Sequence, residues 1–221
     1  MRELIVLAVP TYRRYDLCLR MLRSAAAGTL TPERVLIIDN GGTFREYARE
    51  RAPICPPWID LVEPGRNLGV AASWNYALRW ANGTPALIVN DDVVLDLHTV
   101  EAFADASRRD QPQVIQAVPT PTWSCFLQNQ NMFQLVGDFD EGFYPAYFED
   151  GDYRWRMRCL GHDVDLIDAG AIRHDASSTL ASYSPAERED HERTYRANAL
   201  RYAQKWGGPP GLEKFLVARP T

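Results

Sequence analysis

The chain has 221 residues, 46% of them hydrophobic, which suffices for a sizeable buried core and excludes a wholly disordered chain. Its formal net charge of -5, from 24 Lys and Arg against 29 Asp and Glu, gives no general basic footprint for nucleic acid or anionic membrane. Cys18, Cys55, Cys125 and Cys159 are widely spaced with no C-x-x-C pair, so they read as reduced core thiols and point to a cytoplasmic setting. The apolar stretch Leu4 to Val9 is too short to span a bilayer, and Glu3 with Arg13 and Arg14 flanks it wrongly for a signal peptide, so no transmembrane or export segment is expected.

Short apolar runs alternate with amphipathic stretches through the first half, the pattern of βα units around a largely parallel sheet. LIVLAV (4–9) predicts a strand, and YDLCLRMLRSAAAG (15–28) a helix stopped by Gly28. RVLIID (34–39) predicts a strand, TFREYARERA (43–52) a charged helix, WIDLVE (58–63) a weaker strand and GVAASWNYALRWANG (69–83) a helix. ALIVN (86–90) and VIQAV (114–118) read as strands around a helix over LHTVEAFADASRRD (97–110). Beyond residue 119 the alternation loosens: PTPTW (119–123) reads as a loop, SCFLQ (124–128) as a strand, and GDFDEGFYPAYFEDGDY (137–153) as mostly loop. EDGDYRWRMRCLG (149–161) then predicts a helix, VDLID (164–168) and AIRHD (171–175) short strands, and residues 184–206 a long helix. That last helix has Ser184 as N-cap, Pro185 at the first helical position and Glu187 three residues after the cap. No repeat or low-complexity linker marks a boundary, so one domain over 1–221 is expected, with halves at 1–118 and 119–221.

Ligands of open α/β sheets sit outside the carboxyl ends of the parallel strands. Those ends here read PTYRR, DN with Gly41 and Gly42, PGRN, and NDD, all polar or turn-forming. Neither G-x-G-x-x-G nor G-x-x-x-x-G-K-[ST] is present, so a phosphate bound there needs another source of positive charge. A divalent cation on carboxylate oxygen would supply it, which gives Asp91 and Asp92 a reason to follow a buried strand. A polar strand end whose Asp residues cap the next turn would also produce this pair.

VPTYRRYDLCLRMLRS, VLIIDNGG, GRNLGVAASWNYAL, LIVNDDVVL, VGDFDEGFYPAYFEDGDYRWRMRCLGH and IRHDASS occur in the order of a family 2 glycosyltransferase, which the chain resembles from about Ile5 to Trp206. The resemblance implies the GT-A fold, a Rossmann-like, mostly parallel α/β sheet flanked by helices, in a single domain with a C-terminal helix. It implies an inverting transfer of a sugar from a nucleotide-sugar, with UDP or dTDP favoured, to a hydroxyl acceptor, in a nucleotide-sugar-binding first half and an acceptor and catalytic second half. A glycan, a lipid-linked sugar or a modified nucleic acid could offer that hydroxyl.

By the same resemblance Asn90, Asp91 and Asp92 form the metal-binding D-x-D element, with Asp92 as ligand to Mn²⁺ or Mg²⁺ and Asn90 in place of the first Asp. Asp39 is placed at the nucleobase or ribose. Pro10, Thr11 and Arg14 at the first strand end, with Arg66, Asn67 and Asn75, are placed at the nucleotide. Asp150 is implied as the base that deprotonates the acceptor, with Glu149 orienting the site and Asp152 the second choice. On spacing alone, the same acids suit a helix N-terminus that complements the dipole. His174 is implied as a second metal ligand, with Ser177 or Ser178 near the diphosphate; alone it also reads as a partly buried structural histidine. Trp123, Phe143, Tyr144 and Tyr147 read either as a platform for a sugar ring or as core. The alternatives are a catalytically weakened binding module on the same fold, which Asn90 suits, and a nucleotidyltransferase, whose Gly-rich basic loop is missing.

Overall fold

A computed structural model describes residues 3–51, 59–118, 122–174 and 183–217. Cys55, Ser177 and Ser178 lie outside the described residues. In chain order the strands are β1 (Val6–Thr11), β2 (Val35–Asp39), β3 (Ile59–Val62), β4 (Ala86–Val89), β5 (Val93–Val94), β6 (Val114–Val118), β7 (Cys125–Gln128), β8 (Asp165–Asp168) and β9 (Arg173–His174). Seven of them form one sheet in the order β3-β2-β1-β4-β7-β6-β8. Only β7 runs antiparallel to its neighbours; every other pair in the sheet is parallel. β5 and β9 form a separate antiparallel ribbon.

The helices are α1 (Tyr15–Ala26), α2 (Phe44–Arg51), α3 (Val70–Trp80), α4 (Thr99–Ala106), α5 (Gln130–Val136), α6 (Glu149–Cys159) and α7 (Pro185–Trp206). Both sheet faces are covered, and β1 alternates between them. Leu7 and Val9 pack with Leu19, Met21 and Phe103 from α1 and α4, while Val6 and Ala8 pack with Trp74, Leu78, Tyr153 and Met157 from α3 and α6. A smaller cluster of Phe143, Tyr202 and Trp206 joins α7 to the loop before α6.

The start of α7 follows the sequence expectation: the Ser184 hydroxyl accepts from the Glu187 N–H, and the Glu187 carboxylate accepts from the Ser184 N–H. Gly28 does not stop α1 as a left-handed cap, because the helix ends at Ala26 with Ala27 right-handed. A side chain at Gly28 would meet the carbonyl oxygens of Leu30 and Leu97 at 3.2 Å, so close approach is what requires glycine there. α5 is not signalled by periodicity; its start is fixed by the Asn129 side chain, which accepts from the Met132 N–H.

Candidate functional site

The chain passes from β1 outward to β2 and β3, then returns to place β4 on the other side of β1, so the order reverses between β1 and β4. Such a switch point opens a crevice at the strand carboxyl ends. The end of β1 meets the turn after β4 there: the buried Thr11 hydroxyl donates to Asp91 Oδ2 at 2.7 Å. Burial pushes the Asp91 carboxyl up to about 7; the neighbouring Asp92 charge adds to this, against the Thr11 hydroxyl, the Tyr12 N–H and Arg14. The Asn90 N–H donates to the Ser124 carbonyl, and the Asn90 carbonyl accepts from the Val93 N–H, which turns the chain tightly into β5.

β5 pairs Val93 directly with His174 of β9. That register brings His174 Nε2 to 3.1 Å from Asp92 Oδ1, with both side chains largely enclosed. Cis ligands on an octahedral ion with bonds of about 2.1 Å stand about 3.0 Å apart, so this spacing fits one oxygen and one imidazole donor on a small divalent cation. Among the described residues no cluster of three or more His, Cys, Asp or Glu that could hold a metal ion converges.

Asp39 is almost fully buried and holds the turn after β2: Oδ1 accepts from the Tyr15 hydroxyl and the Gly41 N–H at 2.9 Å, and Oδ2 from the Phe44 N–H at 2.7 Å. Asn40, which the sequence reading passed over, links two strand ends: its Oδ1 accepts from the Leu68 N–H and its Nδ2 donates to Ser73. Its place beside Asp39 at a strand end was the available signal. Asn67 accepts from the Gly69 N–H, Arg66 is exposed, and Arg14 starts α1 with its guanidinium near Asp16 at 3.4 Å. Pro10 lies within β1, paired with Ile38.

Asn75, expected at the nucleotide, has a side-chain task within the protein. It is fully buried, donates to the Phe139 carbonyl and Glu141, and accepts from the Phe139 N–H, which fastens the 139–141 segment to α3. Asp152 is likewise fully buried and saturated: it accepts from Arg156 Nε at 2.9 Å and Trp206 Nε1 at 2.9 Å, and pairs with Lys205 Nζ at 2.6 Å. Held in this way, it clamps α7 against α6 and has no room for a substrate proton.

Glu149 and Asp150 open α6, and the chain enters it through Tyr147 and Phe148, both left-handed at φ 75°. Two non-glycine residues in that region cost about 1–3 kcal/mol each, strain held by the surrounding packing. Burial pushes the Glu149 carboxyl well up, with the Asp150 charge adding, and its Oε2 has no hydrogen-bond partner among the described residues. Burial also raises Asp150, against the Gly151 N–H that donates to it at 2.7 Å. The Asp150 side chain lines an open depression of about 440 Å³ together with Trp123, Tyr147, Trp155, Tyr195 and Glu213. Of the aromatic residues flagged in the sequence, Trp123 and Phe143 are core, while Tyr144 and Tyr147 are exposed. Trp155 and Tyr195 were missed because each reads as an ordinary helical position.

A sheet in this order, helices on both faces and an acidic strand end at the switch point define the GT-A fold. The family model described as Glycosyl transferase family 2 matches residues 6–160, and the chain belongs to that family. It is 47% identical over 55 residues to a galactofuranosyl glycosyltransferase of Leishmania donovani, covering 25% of this chain and 13% of the relative. Among solved structures it is similar to the mannosyltransferase PcManGT of Pyrobaculum calidifontis in complex with GDP-Man and Mn²⁺, with TM-score 0.63, 17% identity and coverage of 91% of this chain and 65% of that one. GalNAc-T7 with UDP, GalNAc and Mn²⁺ gives TM-score 0.71 at 10% identity, covering 93% of this chain and 48% of that one. The chain therefore spans 13% of the curated relative and less than two thirds of either structure. Among the described residues no helix is long and apolar enough to cross a membrane.

Proposed function

We propose that the chain transfers a sugar from a nucleoside diphosphate donor to an acceptor hydroxyl by a single displacement that inverts the anomeric centre. The observation that carries this reading is the Asp92–His174 pair beside the β1–β4 switch point, two cation donors brought together from positions 82 residues apart. A Mn²⁺ or Mg²⁺ ion held by this pair would supply positive charge against the donor diphosphate. Thr11, Asn90 and Asp91 line the same end of β1 and β4, with Pro10, Arg14, Arg66 and Asn67 at the neighbouring strand ends. Asp39 stands at the end of β2, where it would accept from the nucleobase or ribose, and UDP or dTDP is the favoured donor nucleotide.

Asp150 is the base in this reading. Its raised proton affinity, which comes from burial, and its place on an open depression suit it to take a hydroxyl proton. The reaction is placed in the cytoplasm, in keeping with the free thiols of Cys18, Cys125 and Cys159. The test is a thermal-shift screen of UDP, dTDP, GDP and CDP with and without Mn²⁺. A Mn²⁺-dependent rise with UDP or dTDP is expected; no metal-dependent shift with any of the four would end the proposal.

A further inference from the structure

We propose that the acceptor is a neutral sugar whose ring seats in a corner formed by Tyr147 and Tyr195 beside Asp150, an inference that rests on the transfer reading above. The depression lined by Asp150 has a volume of about 440 Å³, within the usual range for small-molecule sites. Tyr195, Pro210, Gly211 and Glu213 supply part of its wall, and all lie beyond the 6–160 span shared with the family.

The Tyr147 and Tyr195 rings stand 5.3 Å apart at 74°, so they form a corner rather than a stack. They remain 38% and 45% exposed although each is held in place. The Tyr147 hydroxyl is 3.1 Å from His191 Nε2, and Tyr195 packs against Phe148 at 5.2 Å. Such a corner offers one aromatic face to the apolar C–H side of a sugar ring and a second to its edge. Asp150 and Glu213 line the depression; Glu213 Oε1 already accepts from the Tyr202 hydroxyl and the Gly211 N–H, which leaves Oε2 and Asp150 as acceptors for sugar hydroxyls.

Charge decides against an anionic acceptor. Arg154 and Arg158 line the depression, but both are bound to Asp163, at 2.8 and 2.9 Å. With Asp150 and Glu213, three carboxylates face two guanidinium groups. A phosphodiester chain needs an excess of cations, which the described lining does not offer, whereas a neutral polyol needs none.

Saturation-transfer NMR on the full chain, with methyl glucoside, methyl galactoside and methyl mannoside and their octyl counterparts, tests the corner without donor. Ring C–H saturation is expected for at least one methyl glycoside, with affinity about tenfold weaker in Tyr195→Ala and within about threefold of wild type in Tyr195→Phe. Equal binding of methyl and octyl forms supports a free glycan as the source; stronger octyl binding with the same Tyr195 dependence supports a lipid-linked sugar. No glycoside signal, or binding indifferent to Tyr195→Ala, overturns the proposal, as does displacement of a bound glycoside by short duplex DNA. The Mn²⁺-dependent donor shift is read on the same samples. If the shift is absent while glycosides bind, the transfer reading fails and the corner stands; if it is present with no glycoside signal, the corner alone fails.

Discussion

Asp152→Asn is expected to lower the melting temperature by about 6–12 °C, while Asp150→Asn, two positions earlier, leaves it unchanged or raises it. The magnitude follows from what each carboxylate touches. Asp152 has no exposure and faces Arg156, Lys205 and the Trp206 indole, so its neutral isostere leaves two cations against a buried amide. Breaking a buried pair costs about 3–5 kcal/mol. Lys205 keeps Asp140 at 2.8 Å, which places the loss near the lower end, about 3 kcal/mol, or about 2–4 °C for each kcal/mol in a chain of this size. Asp150 has no cation partner among the described residues; burial raises its proton affinity, so its charge costs stability in the native state. Paired thermal melts at neutral pH, with transfer measured on the same samples, check both halves. An Asp152→Asn protein that melts within 2 °C of wild type yet fails in transfer would refute the argument and make Asp152 the base.

His174→Ala and Asp92→Ala are each expected to abolish the Mn²⁺-dependent part of the donor-induced thermal shift while the metal-free melt stays near wild type. Asn75→Ala should cost about 2–3 kcal/mol in urea unfolding, because three hydrogen bonds to residues 139–141 are lost at a fully buried position, and should leave donor affinity at wild-type level. Burial opposes ionisation of Asp140, but Lys205, the Gly142 N–H and Arg201 outweigh it and hold the carboxyl down at about 2. Its stabilising contribution, about 2 kcal/mol, is therefore complete above about pH 4 and is lost as pH falls from 4 to 2. Asp140→Asn should show lower stability at pH 7 and a flatter acid limb in pH-dependent unfolding.

Residues whose type is unusual for their place are legible in the sequence; residues whose meaning depends on a distant partner are not. Asp91 and Asp92 at the end of an apolar run, and the acids at the head of α6, stand out because charge there demands an explanation. Asn75 stood out in the same way, but its partners lie 64 and 66 residues along the chain, so its task as a fastener was not readable. Asp152 looks like Asp150 in a list of acids; only Lys205 and Trp206, which reach it from α7, separate the two. β9 falls within the strand expected over AIRHD, but a strand of two residues carries no periodicity, so β5 and the ribbon that brings Asp92 to His174 are not legible in the sequence. α5 spans only seven residues and offered only its Asn129 cap as a signal.

A cation held by Asp92 and His174, as proposed, would also be a late event in assembly, because the β5–β9 ribbon brings the pair together. Its two ligands come from either side of about 80 residues of intervening chain, and closing so long a loop is entropically costly with only two residue pairs to hold it. During synthesis β1, β2 and β4 can pair before residue 174 leaves the ribosome, so a crevice can form with one ligand missing. Cation binding would then report that the β5–β9 ribbon has closed. Amide exchange near Val93 and Arg173 should slow when Mn²⁺ is added, well before any change in the central strands.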